Sequence, residues 1–200
     1  MPGCRRALSS VMAGGGRESG SVEIAWIDAA GDPGVADALG AVFRNTALAI
    51  EARGPACWAS GRCCNFEAAG HRLYTTGLEA AFTVVRLGDD AAIAGNGDQE
   101  RGAGLELPQI GRPSLTPASI AAARERGGCP FQRRNLCTVH DIKPVACRVY
   151  FCDRSAQDWQ KDLSEQLHER VRVIHEEFGV PYEYAEWRGL LERLVAARDR

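Results

Sequence analysis

Apolar residues recur along most of this chain in steps of three and four, the spacing of helices that bury one face. From Val35 to Arg53 the inward positions are Val35, Leu39, Val42, Phe43, Thr46 and Ile50, and Gly54-Pro55 stops the run. Thr76-Gly-Leu-Glu79 is a capping box, so a helix is predicted from there to about Leu87. Thr116-Pro117 opens another, with a capping residue before a proline, and Gly127-Gly128 ends it. Ser155 is predicted to cap a long helix to about Phe178, with Trp159, Leu163, Leu167, Val171, Ile174 and Phe178 in one stripe. Gly179-Val-Pro181 breaks it, and a last helix carries Trp187, Leu190, Leu191, Leu194 and Val195. These two predict an antiparallel hairpin. His168 and His175 share one helix and read as a solvated surface pair.

Extended structure is sparse. Val22 to Asp28 alternates loosely and predicts a short strand, followed by a turn at Asp32-Pro33-Gly34. His71 to Thr75 predicts a short extended segment. Gly88 to Arg112 holds six glycines and reads as a flexible loop without a phosphate-binding pattern. The fold expected is mainly α with short irregular or β segments, a single small domain organised around a cysteine-ligated metal centre. Residues 1–20 read as a disordered leader, 21–154 as the cysteine-cluster domain and 155–200 as the helical hairpin packed on it.

Composition narrows the class. The chain has 200 residues, 45% hydrophobic and 25% charged, which is globular rather than disordered. No run of about 18 apolar residues is present, so no membrane span is expected. A net charge of -2 gives no clear nucleic-acid footprint.

Cysteine changes the picture most. Of eight cysteines, seven fall in two blocks: Cys57, Cys63 and Cys64, then Cys129, Cys137, Cys147 and Cys152. Clusters of this kind in a chain without a secretory signal point to metal ligands and a cytoplasmic location. Cys4 stands apart and reads as a stray thiol. The second block has the spacing Cys-x7-Cys-x9-Cys-x4-Cys, longer than zinc-finger knuckles. Sulfurs drawn from longer loops suit a [4Fe–4S] cluster as well as a single Zn, and spacing alone does not choose. Adjacent Cys63 and Cys64 are expected to point apart and to serve two centres, or one to ligate while the other is free. Arg148, next to Cys147, would favour its thiolate or form a surface salt bridge.

The two blocks resemble the CxxCxxCC cysteine-cluster family (YkgJ-type), described as zinc- or iron-chelating or Fe–S-cluster-containing. Cys57-x2-Ser60-x2-Cys63-Cys64 matches its first motif with serine at the second cysteine. Cys129-Pro130-Phe131, Cys137, His140, Lys143-Pro144, Cys147-Arg148 and Tyr150 match the second motif in order, with Lys143 where arginine is usual. The match covers about residues 57–152. It implies a cysteine-rich metal centre in a bacterial cytoplasmic protein, and little about a reaction; some relatives are linked to lysine methylation of flagellin. Eight-cysteine relatives can supply two four-thiolate centres, so one centre here is expected to be a sulfur short, with His140 as the replacement ligand.

Three functions follow from these readings. The first is an iron–sulfur protein of unknown reaction, with a structural zinc protein as the alternative. The third is an enzyme with an open metal site, for example for methyl transfer. The partner is an unidentified protein or small molecule.

Overall fold

A computed structural model describes residues 21–55, 60–94 and 113–199, the side chains of 89–94 excepted. Seven helices fall within these residues: α1 (Val22–Gly31), α2 (Pro33–Arg53), α3 (Gly77–Ala94), α4 (Pro117–Glu125), α5 (Val145–Arg148), α6 (Gln157–Glu177) and α7 (Trp187–Arg198). Four short strands accompany them: β1 (Tyr74–Thr76), β2 (Gln132–Arg133), β3 (Leu136–Cys137) and β4 (Tyr184–Glu186). The mainly helical expectation holds, and the elements share one core. The leader, Cys4, Cys57 and most of the expected glycine-rich loop lie outside the described residues.

The first element departs from its expected form. Val22 to Gly31 is a helix, not a strand. Its fully buried residues are Trp26 and Ala30, four apart, which is a helical and not an alternating spacing. Trp26 anchors it by donating its indole N–H to the Pro181 carbonyl at 2.7 Å. Asp32-Pro33 is a helix start: the Asp32 carboxylate accepts the Val35 N–H at 3.1 Å, and Pro33 takes the first helical position, where no N–H is needed. Gly54, at φ +62°, closes α2 in the left-handed conformation. Thr76 and Glu79 form the predicted capping box, and α3 runs past Leu87 to Ala94.

Helix α1 packs chiefly on α3; α7 packs on α3, α1 and α4; α2 packs on α6. The last two helices therefore meet the molecule through different partners, α6 through α2 and α7 through α3. Strand β1 pairs antiparallel with β4, Thr75 opposite Ala185, and so ties the start of α3 to the start of α7. Arg193 of α7 completes the clasp, pairing with Glu23 of α1 at 2.7 Å and with Glu183. Among the described residues no helix is long and apolar enough to cross a membrane.

His175 is buried, not solvated. Its Nδ1 lies 3.2 Å from the Val180 carbonyl and 3.1 Å from that of Pro181. The turn after α6 brings those carbonyls to the ring, which faces inward with Val171 and Ile174. His168 remains at the surface, 2.6 Å from the Tyr182 hydroxyl.

Candidate metal centre

The two cysteine blocks are stitched together by backbone. Gly61, at φ +72°, turns the first block so that Cys64 N–H returns to the Gly61 carbonyl at 3.0 Å. Cys129 N–H donates to the Cys64 carbonyl at 2.8 Å, Glu67 N–H to Gly127 at 3.0 Å, and the Gln132 side chain to Gly61 at 3.1 Å. A Cβ on Gly128 would lie 3.1 Å from the Cys64 carbonyl oxygen, so glycine permits this close approach.

The second block then folds around the junction. Arg134 and Asn135, at φ +49° and +66°, make the tight turn between β2 and β3 and bring Cys137 back beside Gln132. Thr138 locks the hairpin, its N–H and hydroxyl both donating to the Phe131 carbonyl. Residues 142–145 are held from α3: the Thr83 hydroxyl donates to the Ile142 carbonyl at 2.9 Å, and Val145 N–H donates to Glu79 Oε1 at 2.8 Å. The second oxygen of Glu79 accepts from the Thr75 hydroxyl and from both the N–H and hydroxyl of Thr76. The capping box was legible in sequence; its reach to the cysteine loop was not.

This scaffold gathers Cys63, Cys64, Cys129, Cys137 and Cys147 on one cavity of about 20 Å³, walled by Phe131, Val139, Pro144 and Trp187, with Lys143 at its edge. Cys63 and Cys64 face the same space, Sγ to Sγ 3.9 Å, because they sit in a turn where neighbouring side chains need not diverge. Among the described residues no group of three or more His, Cys, Asp or Glu side chains is set to hold a metal ion as it stands. Hydrogen bonding to Cys64 draws Cys63 down to about 6 and Cys137 down to about 7. Contacts with Cys129, Cys137 and Cys63 push Cys64 far up, and burial raises Cys147. Two of the sulfurs thus ionise near neutrality, and Cys64 and Cys147 need a cation to do so.

Cys152 and His140 are not brought into this cavity. Both line a larger cleft beside it, where Cys152 Sγ is 3.5 Å from Ser60 Oγ. Partial burial of the ring, with Lys143 and Arg148 nearby, keeps the His140 imidazole below its usual pKa. Arg148 makes no surface salt bridge among the described residues. Its guanidinium donates to the Lys143 carbonyl at 2.9 Å and the Asp141 carbonyl at 2.5 Å, and lies 4.1 Å over the Phe43 ring. Arg148 therefore braces the loop that carries Lys143. No family model, curated protein or solved structure matches this chain.

Proposed function

We propose that this chain is a metal-binding cysteine-cluster protein whose cavity thiols hold a single thiolate-bound ion, with zinc the ion the geometry supports best. The observation that carries the reading is the meeting of five cysteines from two distant blocks at one cavity. The donor set fits: soft sulfur ligands in an otherwise apolar wall, with Lys143 to offset thiolate charge. Tetrahedral zinc with Zn–S distances near 2.3 Å sets its sulfurs ~3.8 Å apart. Cys63 and Cys64 stand at 3.9 Å, and Cys129 and Cys137 line the same cavity. Cys63, Cys64, Cys129 and Cys137 would hold the ion, with Cys147 beside them. Four-thiolate zinc would supply no redox chemistry; it would tie together two loops that are distant in the chain.

An iron–sulfur cluster on four of the same thiols is the second reading. The resemblance to the CxxCxxCC family and the long second-block spacings favour it, and such a cluster would supply one-electron transfer.

The test is metal analysis of protein purified anaerobically from cells supplied with both metals. About one zinc per chain and no colour is the expected result. Iron with acid-labile sulfide and a brown protein would instead establish the second reading. Cys64→Ser should abolish metal retention, and Cys152→Ser should keep it. A protein free of both metals with every thiol reactive overturns the proposal, and equal loss in the two variants overturns the ligand grouping.

A further inference from the structure

We infer that the cleft beside the thiols binds a small carboxylate with an apolar body, its charged end held at Lys143. The cleft has a volume of about 490 Å³, within the ~300–1,000 Å³ of pockets that enclose metabolite-sized molecules. It adjoins the thiol cavity directly: Cys63, Cys137, Cys147 and Lys143 line both. Ile50 of α2, Leu136 of β3 and Phe151 give it apolar walls, and Tyr150 adds a ring fixed from behind by stacking on His71, centroids 4.6 Å apart.

Charge selects the ligand. Among the described residues two cations line the cleft, Lys143 and Arg148, beside the exposed carboxylate of Glu51 and the thiols of Cys63 and Cys137, which ionise near neutrality. Among the described residues neither cation has a carboxylate partner. The guanidinium of Arg148 is committed to two carbonyls and the face of Phe43. Lys143 is half-buried, and its ammonium makes no hydrogen bond to a described group, so no described group occupies its three donors. A half-buried ammonium beside apolar walls is stabilised by an anion that brings its own apolar surface. Cys63, Cys137, Cys147 and His140 also lie near Lys143, and the thiolates of Cys63 and Cys137 would compete with a ligand for its charge, so binding is measured with metal and without it. That the ligand is a substrate of the centre rests on the metal reading; that it binds does not.

The probes are 2-naphthoate and its neutral counterpart 2-naphthamide, titrated calorimetrically into the full chain with metal content measured on every sample. One equivalent of naphthoate should bind, and naphthamide should bind at least tenfold more weakly. Lys143→Met should erase that difference. Ala47→Trp, at an exposed α2 position on the cleft wall, should weaken naphthoate at least tenfold without changing metal content. No saturable naphthoate binding, equal affinity for the two probes in the unaltered protein, or indifference to Ala47→Trp overturns the inference. Metal-loaded protein that ignores naphthoate overturns the cleft and leaves the metal reading intact. Metal-free protein that binds naphthoate in the expected pattern does the reverse.

Discussion

Glu79 is the residue through which the helical core addresses the cysteine loop, and its replacement has a cost that can be worked out from its partners. It is buried, 4% exposed, and accepts from four donors: the hydroxyls of Thr75 and Thr76, Thr76 N–H and Val145 N–H. In Glu79→Ala the hydroxyls can rotate toward other acceptors, but the two backbone amides cannot. Each buried donor left without a partner costs ~1–3 kcal/mol, so with two such amides the alanine variant should lose about 2–6 kcal/mol. Glu79→Gln is more discriminating. One carboxylate oxygen faces Thr76 N–H and the other faces Val145 N–H, so either orientation of the amide sets its NH2 against a backbone donor. That conflict should cost about 1–3 kcal/mol, although the glutamine side chain is isosteric. For a chain near this size each kcal/mol shifts Tm by roughly 2–4 °C. The measurements are urea unfolding of both variants and hydrogen exchange at Val145. Alanine should be the worse of the two, and Val145 should exchange faster in both. A Glu79→Ala protein within about 0.5 kcal/mol of the parent, the scatter of ordinary surface changes, would refute the reasoning.

Gly77→Ala should destabilise by about 1–3 kcal/mol, against the gain of ~1 kcal/mol that alanine usually brings to a helix. Its Cβ would fall 2.3–2.5 Å from the Trp26 ring, which is pinned by its bond to Pro181; a thermal melt no lower than the parent's would contradict this contact. His175 should make the fold acid-sensitive. Burial lowers its pKa from 6.5, outweighing its bonds to the Val180 and Pro181 carbonyls, which act the other way. The folded state therefore refuses a proton that the unfolded chain accepts. Stability from this group is complete above about pH 6.5 and is lost as pH falls from there through the folded pKa, at up to ~1.4 kcal/mol per pH unit. His175→Asn keeps a donor near Nδ1 and cannot titrate, so its stability should fall less between pH 7 and 5; an unchanged slope in urea unfolding would remove the assignment.

What the sequence disclosed follows from the range of the forces involved. The α2 stripe was legible because Val35, Leu39, Val42, Phe43 and Thr46 are one helical face, and all five are buried. Caps at Thr76 and Thr116 were legible because they are settled within four residues. The α1 helix was misread since Val22 to Asp28 is too short to separate a loose alternation from a helical step, and Trp26 is committed by Pro181, 155 residues away. Strand β4 had no local mark, because its partner β1 is more than a hundred residues off in the chain. His175 became a core residue through carbonyls that the helical pattern does not encode.

The site divides along the same line. Residue type and clustering marked Cys63, Cys64, Cys129, Cys137 and Cys147 as a group, and these meet at one cavity. The same clustering gave Cys152 equal standing, yet the chain carries it away to Ser60 in the cleft. The difference is backbone pairing. Cys129 N–H reaches Cys64, the β2–β3 turn returns Cys137, and Glu79 and Thr83 of α3 hold residues 142–145 just before Cys147. After Cys147 the chain leaves the clamp: Phe151 N–H is taken by Gln160 of α6, which draws this end of the loop toward α2 and α6. Spacing counts residues and cannot see which of them are clamped. A ligand set assigned from cysteine spacing therefore needs backbone pairing as a second condition: the sulfurs that meet at the cavity are those whose backbone is held, by pairing within the cluster for Cys129 and Cys137 and by α3 for the segment before Cys147.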